Sequence, residues 1–96
     1  MNITIKELLD KNKYQKINII DIRNKYDYNL GHIRNAKNIP SNNLLALPEY
    51  YLNKNEKYYI YCQGGSLSKQ VVDILNNAGY NTVNISGGYN NYLLRN

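Results

Sequence analysis

A single cysteine, Cys62, stands where a strand pattern gives way to a glycine-rich turn. Residues 58–61 are aromatic and β-branched, which is typical of a strand. A helix pattern begins soon after the cysteine. Glycines allow positive φ angles that turn several backbone N–H groups toward one point, and a helix N-terminus adds unpaired N–H groups and positive potential. We therefore expect an anion-binding loop made of Gln63, Gly64, Gly65, Ser66, Leu67 and Ser68.

A thiolate held in such a loop is stabilised relative to a free cysteine, whose pKa is about 8.5. Cys62 is therefore predicted to attack as an ionised nucleophile without a general base. The same N–H groups would hold the anionic outer sulfur of a persulfide. The alternative is a small apolar side chain buried at a strand end. The glycines and the helix start favour the nucleophile, because a core cysteine has no need of them.

Short strands and helices alternate along the whole chain. Strands are predicted at Ile3 and at residues 17–20, 36–39, 58–61 and 82–85. This alternation indicates an α/β fold with a largely parallel sheet and helices on both faces. Ligands of such sheets bind at the carboxyl ends of the strands, where the chain places Asp21, Arg23 and Cys62.

Several residues mark the helices. Thr4 and Glu7 have the spacing of a capping box, and Asn24 is predicted to cap a short helix that stops at Gly31. Ser41 is predicted to begin a further helix, and Gly87 with Gly88 precedes the last one. The apolar residues assigned to the helices are Leu44, Leu45 and Leu47 in the helix from Ser41, Leu67, Val71, Val72, Ile74 and Leu75 after the cysteine loop, and Tyr92, Leu93 and Leu94 in the last.

Composition restricts the functional class. Ninety-six residues predict one domain, and the net charge of +5 is spread without a basic run, which argues against nucleic-acid binding. A lone cysteine excludes an internal disulfide, and one histidine argues against zinc. No signal-peptide or membrane-spanning pattern is evident. We expect a soluble cytoplasmic protein with no metal or cofactor; the sequence does not indicate an oligomeric state.

Four segments, in this order along the chain, resemble the rhodanese domain family. They are a strand ending in Asp-x-Arg (residues 18–23), a Gly-His-Ile…Ala…Asn-Ile-Pro segment (31–40), the cysteine loop (61–68), and a Gly-Gly…aromatic start to the last helix (87–92). Each alone is weak, but all four across nearly the whole chain are specific.

The resemblance implies one rhodanese-like domain over residues 1–96, with a five-stranded, mostly parallel sheet flanked by helices on both faces. It also implies a sulfurtransferase: Cys62 takes sulfane sulfur from an anion such as thiosulfate, or from a persulfide, and passes it to a thiol, to cyanide or to a protein acceptor. Many members carry Arg where this chain has Leu67, so thiosulfate binding is expected to be weakened. Lys69, Arg23 and Arg34 are the nearby candidates for a replacement cation.

The supporting residues have two interpretations each. Asp21 is expected either to hydrogen-bond the cysteine loop or to form a structural salt bridge or cap, and Arg23 to shape the field there. Ser66 and Ser68 are expected either to donate to the sulfur or to cap the following helix. His32 is interpreted as structural, because the family places its segment in a turn.

Two other functions compete with sulfur transfer. A cysteine phosphatase or arsenate reductase needs an arginine at the end of the loop to bind its oxyanion, and residues 67 and 68 are Leu and Ser. A binding module that keeps the fold without catalysis is the second alternative, although inactive relatives often lose the cysteine. Within the sulfurtransferases, a relay that passes sulfur between proteins, for tRNA thiolation or cofactor assembly, competes with a simple enzyme.

Overall fold

The computed structural model describes residues 1–95 and is built around a five-stranded sheet. The strand order is β1-β5-β4-β2-β3, and each described pair of neighbours is parallel. The predicted α/β fold is thereby confirmed. The strands are β1 Asn2–Ile3, β2 Asn18–Asp21, β3 Lys37–Asn38, β4 Lys57–Tyr61 and β5 Asn81–Ile85.

Helices cover both faces of this sheet. They are α1 Ile5–Tyr14, α2 Lys25–Leu30, α3 Ser41–Ala46, α4 Pro48–Tyr51, α5 Ser66–Asn77 and α6 Gly88–Leu93. One apolar cluster joins Ile20 and Ile60 of the sheet to Leu44 of α3 and Val71 of α5. A second cluster on the opposite face joins the sheet to α1 and α6. A strand covered on both faces has consecutive buried residues, as β2 has from Ile19 to Asp21 and β4 has from Tyr58 to Tyr61.

The helix starts follow local sequence rules. The Thr4 hydroxyl accepts a hydrogen bond from the Glu7 N–H at 3.1 Å, and the Glu7 carboxylate accepts one from the Thr4 N–H at 3.0 Å. Asn24 accepts from the Asp27 N–H at 2.8 Å and so caps α2, which ends at Gly31. Both caps were predicted, because each depends on residues only three apart.

Two expectations about the helices are wrong. The segment from Ser41 is two helices, since α3 ends at Ala46 and α4 begins at Pro48, and Leu47 between them is exposed. Leu67 and Ile74 are also exposed and do not belong to the buried face of α5. That face is formed by residues spaced three and four apart, which are Ser68, Val71, Val72 and Leu75.

The sheet brings the polar strand ends together. Asp21 in β2 is paired with Tyr61 in β4, and the Ile22 N–H donates to the Tyr61 carbonyl at 3.0 Å. Arg23 and Cys62 therefore follow the carboxyl ends of two adjacent parallel strands, β2 and β4, and lie at the same end of the sheet. Within residues 1–95, no helix is long and apolar enough to cross a membrane, and no three His, Cys, Asp or Glu side chains are grouped to hold a metal ion.

Candidate active site

The Cys62 sulfur lies at the start of α5 with N–H groups directed at it. The Gly65 N–H donates to Sγ at 3.1 Å and the Ser68 N–H at 3.3 Å, while the Ser68 hydroxyl oxygen lies 3.3 Å from Sγ. Burial of the sulfur raises the pKa of Cys62. Hydrogen bonds from the Ser68 hydroxyl and from the N–H groups of Ser68, Gly65 and Gly64 outweigh that effect and lower the pKa of Cys62 below its ordinary value.

Close packing against the start of α6 fixes the shape of this loop. Gly65 has a φ of 104°, and a Cβ there would lie 3.1 Å from the Gly87 nitrogen. A Cβ on Gly88 would collide with the Cys62 carbonyl oxygen. That carbonyl accepts from the Tyr89 N–H at 3.0 Å. The second glycine pair of the chain is therefore needed where the loop and α6 pack backbone to backbone.

Asp21 and Arg23 form a buried ion pair beside the loop. The Asp21 carboxylate accepts from the Arg23 Nη2 at 2.7 Å and from the Tyr61 hydroxyl at 2.6 Å. Burial lowers the pKa of Arg23, but the Asp21 carboxylate more than offsets this and leaves it raised. Burial together with the Asp21 hydrogen bond raises the pKa of Tyr61. At neutral pH the Tyr61 side chain is thus a neutral phenol beside the ion pair of Arg23 and Asp21.

Arg23 connects the ion pair to the cysteine loop. Its Nη1 donates to the Gln63 side-chain oxygen at 3.0 Å, and its Nη2 donates to the Gly31 carbonyl at 2.7 Å. The guanidinium also lies over the Tyr89 ring, 4.2 Å from the centroid. Asp21 makes no hydrogen bond to residues 62–68, so its salt-bridge interpretation is the one the geometry favours. It reaches the loop through Arg23 and Gln63.

A cleft of about 390 Å³ opens onto the Cys62 side chain. Its formally charged lining residues are Arg23, already paired with Asp21, and Asp27 of α2. Arg34 and Lys69 are exposed and lie outside the lining, so they do not replace the missing cation of the loop. The lining consists of Ile22, Arg23, Asn24, Asp27, Ser41, Cys62, Gln63, Gly64, Ser66 and Leu67.

The remaining predicted residues divide into two groups. The first group lines the cleft and consists of Gln63, Gly64, Ser66 and Leu67. The second group, Gly65 and Ser68, lies outside the lining and donates hydrogen bonds to the Cys62 sulfur. Ser68 contacts the sulfur, whereas Ser66 makes no hydrogen bond to it. His32 is exposed, stacks on Tyr28 at 3.8 Å between ring centroids, and has its Nδ1 2.8 Å from the Tyr28 carbonyl oxygen. Its environment is that of a structural histidine.

Residues from distant parts of the sequence complete the site and were not predicted. Asn84 in β5 accepts from the Ser68 hydroxyl at 2.5 Å, and Asn90 in α6 accepts from the Gln63 amide at 2.6 Å. Tyr61, predicted only as a strand residue, also belongs to the site, because its hydroxyl donates to the Asp21 carboxylate at 2.6 Å. A polar residue at an inward position of a strand was the available signal for Asn84, since such a residue requires a partner.

The fold agrees with that of known proteins. Residues 3–95 match the model of the rhodanese-like domain, and the chain belongs to that family. The structure is similar to a rhodanese-like domain protein from Staphylococcus aureus (38% identity, TM-score 0.87, 96% of this chain and 91% of that one). It shares its fold with the human single-domain sulfurtransferase TSTD1 (21% identity, TM-score 0.85, 99% and 96% coverage).

Curated relatives are longer proteins. The tRNA uridine(34) hydroxylase of Aster yellows witches'-broom phytoplasma is 34% identical over 92 residues, which is 90% of this chain and 30% of that protein. The chain therefore spans less than a third of that relative, and it corresponds to one domain-sized part of it.

Proposed function

We propose that this chain is a sulfurtransferase that carries sulfane sulfur as a persulfide on Cys62. The observation that carries the proposal is the convergence of N–H groups on one sulfur: those of Gly65 and Ser68 lie 3.1 and 3.3 Å from Sγ. Fixed donors directed at a reacting anion stabilise it without reorganisation during the reaction. A lone thiol of this kind suits a reducing, cytoplasmic compartment.

The reaction has two displacement steps. The Cys62 thiolate attacks the outer sulfur of the donor, a sulfur–sulfur bond forms, and the donor's own sulfur–sulfur bond breaks as its remainder leaves with the electron pair. That remainder is sulfite from thiosulfate, or a thiolate from a persulfide. A thiol, cyanide or a protein acceptor then attacks the outer sulfur and regenerates the Cys62 thiolate. No net oxidation of the protein occurs over the cycle.

The charge of the cleft favours persulfide donors over thiosulfate. Thiosulfate is a dianion, and the cleft offers it one arginine that Asp21 already pairs, together with the Asp27 carboxylate. Leu67 is 46% exposed at the mouth and presents an apolar surface instead of a cation. The reacting group of an organic persulfide carries at most one negative charge, compared with two on thiosulfate, and it is attached to an organic stem that Leu67 can contact. The proposed partner is therefore a small or protein-bound persulfide, with a protein thiol as the further candidate acceptor.

Turnover with two donors tests this function. Thiocyanate formed from cyanide is measured with thiosulfate and with glutathione persulfide, for wild type and Cys62→Ala, after subtraction of the uncatalysed reaction. We expect wild type to turn over both, the persulfide faster, and Cys62→Ala to turn over neither. No transfer from either donor would instead favour a binding module, and hydrolysis of an aryl phosphate that depends on Cys62 would favour a phosphatase.

A further inference from the structure

A line of uncharged polar side chains runs from the Cys62 sulfur to the edge of the sheet. The Ser68 hydroxyl oxygen lies 3.3 Å from Sγ and donates to the Asn84 Oδ1 at 2.5 Å. The Asn84 Nδ2 in turn donates to the Asn2 Oδ1 at 3.2 Å. These residues come from α5, β5 and β1, and the parallel pairing of Asn2 with Asn84 places the last two side by side. Ser68 is fully buried and Asn84 nearly so.

The single proton of the Ser68 hydroxyl has competing acceptors, which are the Cys62 sulfur, the Asn84 Oδ1 and, at 3.2 Å, the Gly65 carbonyl; the Asn84 contact is the shortest of the three. With Cys62 as a thiol, the S–H donates to the Ser68 oxygen and the hydroxyl donates to Asn84, so every group has a partner. With Cys62 as a thiolate or persulfide anion, the sulfur needs that same proton. The Ser68 oxygen would then face the Asn84 Oδ1 at 2.5 Å with no hydrogen between them, and two acceptors that close repel each other.

Rotation of an amide resolves this conflict. The oxygen and nitrogen of an asparagine side chain are nearly equal in shape, so exchanging them changes the hydrogen bonds without changing the packing. After the exchange, the Asn84 amide donates to the Ser68 oxygen and its carbonyl accepts from the Asn2 amide. Asn2 is exposed, which leaves its side chain free to turn.

We propose that Asn84 is a positioning residue whose amide reverses when Cys62 becomes an anion, so that the Ser68 hydroxyl donates to the sulfur. Asn2 is the last residue in this line of hydrogen-bonded side chains, and its amide reverses together with that of Asn84. The proposal rests on the proposed function only in taking Cys62 as the reacting atom. It adds that the sulfur anion is stabilised by a hydrogen bond from the Ser68 hydroxyl, which Asn84 and Asn2 orient, as well as by the loop N–H groups.

The charged groups near the sulfur lie on the other side. Arg23, paired with Asp21, and Asp27 face Cys62 across the cleft, from the segment after β2 and from α2. Behind the sulfur, α5, β5 and β1 contribute Ser68, Asn84 and Asn2, and none of these titrates. A substitution at residue 2 or 84 can therefore change the pKa of Cys62 in two ways, through the hydrogen bond of the Ser68 hydroxyl or through the electrostatic effect of an introduced charge. Experiment can separate these two effects.

The test is the pH dependence of Cys62 alkylation, which reports the thiolate of this only cysteine and needs no sulfur transfer. Asn84→Asp and Asn2→Asp replace amides by groups that only accept. A carboxylate at position 84 holds the Ser68 proton, and a carboxylate at position 2 holds the Asn84 amide in its present orientation. We expect Asn84→Asp to raise the pKa of Cys62 by about one unit or more, and Asn2→Asp to raise it by less.

Removing the hydroxyl separates the two effects. In a Ser68→Ala background, we expect each Asp variant to shift the pKa by less than half as much, leaving only the effect of charge. Thr82→Val is the matched control, because Thr82 lies on the same face of β5 and bonds α5 away from the sulfur, at the Val72 carbonyl and Asn76; it should leave the pKa unchanged. Asn2 is exposed, so Asn2→Asp should fold even if Asn84→Asp does not. Equal shifts with and without the Ser68 hydroxyl, or no shift from Asn2→Asp, would overturn the proposal.

Discussion

The backbone N–H of Gly65 points at the Cys62 sulfur from 3.1 Å, and Gly65 holds this direction with a φ of 104°. That backbone region is unfavourable for residues with a Cβ. The same residue is the N-cap that precedes α5, and it packs against Gly87. One glycine therefore directs a hydrogen bond at the reacting atom, precedes the helix as its cap and allows the neighbouring backbone to approach.

Replacing Gly65 by alanine should damage both stability and the thiolate. The added Cβ would lie 3.1 Å from the Gly87 nitrogen, and the positive φ adds strain, so we expect a loss of about 1 to 2 kcal/mol in the free energy of unfolding. The pKa of Cys62 should rise because the N–H moves. Urea unfolding and the pH dependence of alkylation measure these effects. Gly64→Ala is the control, since a Cβ there meets only Asn90, at 3.8 Å; a similar loss in that variant would show that the conformation of Gly65 is not the cause.

The lowered pKa of Cys62 predicts how stability depends on pH. Between that lowered pKa and the ordinary value of about 8.5, the folded state holds a thiolate while the unfolded state holds a thiol. The unfolded state then binds more protons, so this group stabilises the fold increasingly as pH rises through that range, and the contribution is lost as pH falls through the folded pKa. The difference in unfolding free energy between wild type and Cys62→Ala should follow this course. A difference that is flat with pH would contradict a lowered pKa.

A cation at position 67 should improve the use of thiosulfate. Leu67→Arg places a guanidinium at the mouth of the cleft, where it can form charge-assisted hydrogen bonds with the donor's oxygens. Such bonds contribute about 1.5 to 3 kcal/mol, so kcat/KM for thiosulfate should rise roughly tenfold or more. Ile74→Arg adds the same charge at an exposed position of α5 outside the lining and is the control. An equal gain in both variants would mean that net charge, not the mouth of the cleft, limits thiosulfate.

Removing the carboxylate of Asp21 should destabilise the fold strongly. Asp21→Asn leaves Arg23 without its buried counter-charge and weakens the acceptor of the Tyr61 hydroxyl. Breaking a buried ion pair from one side costs about 3 kcal/mol or more, which urea unfolding would detect. Asp73→Asn, at an exposed position of α5, should change stability by less than about 0.5 kcal/mol. Retention of wild-type stability by Asp21→Asn would show that the pair contributes little.

The sequence was sufficient to predict those parts of the structure that depend on local interactions. The Thr4 capping box, the Asn24 cap and the turn after Cys62 each depend on neighbours within a few residues, and the four family-like segments defined the order of the elements. The break at Pro48 was missed, because an apolar run over residues 44–47 looks continuous whether or not the helix ends there.

Contacts between residues that are distant in the chain could not be predicted from the sequence. Asn84 meets Ser68 because β5 passes beneath α5, and it meets Asn2 because β1 joins the sheet at its edge, 82 positions away in the chain. The exposure of Leu67 was also misjudged. Its apolar character matches the helix pattern, but its position in the first turn of α5 places it at the cleft instead of the core.

The mass of the intact protein after incubation with a sulfur donor tests the central claim most directly. Wild type and Cys62→Ala are each incubated with glutathione persulfide, separated from the donor and weighed by mass spectrometry, before and after addition of cyanide. We predict that wild type gains one sulfur atom, that cyanide removes it, and that Cys62→Ala gains none. Gain of sulfur by both proteins, or by neither, would contradict a persulfide carried on Cys62.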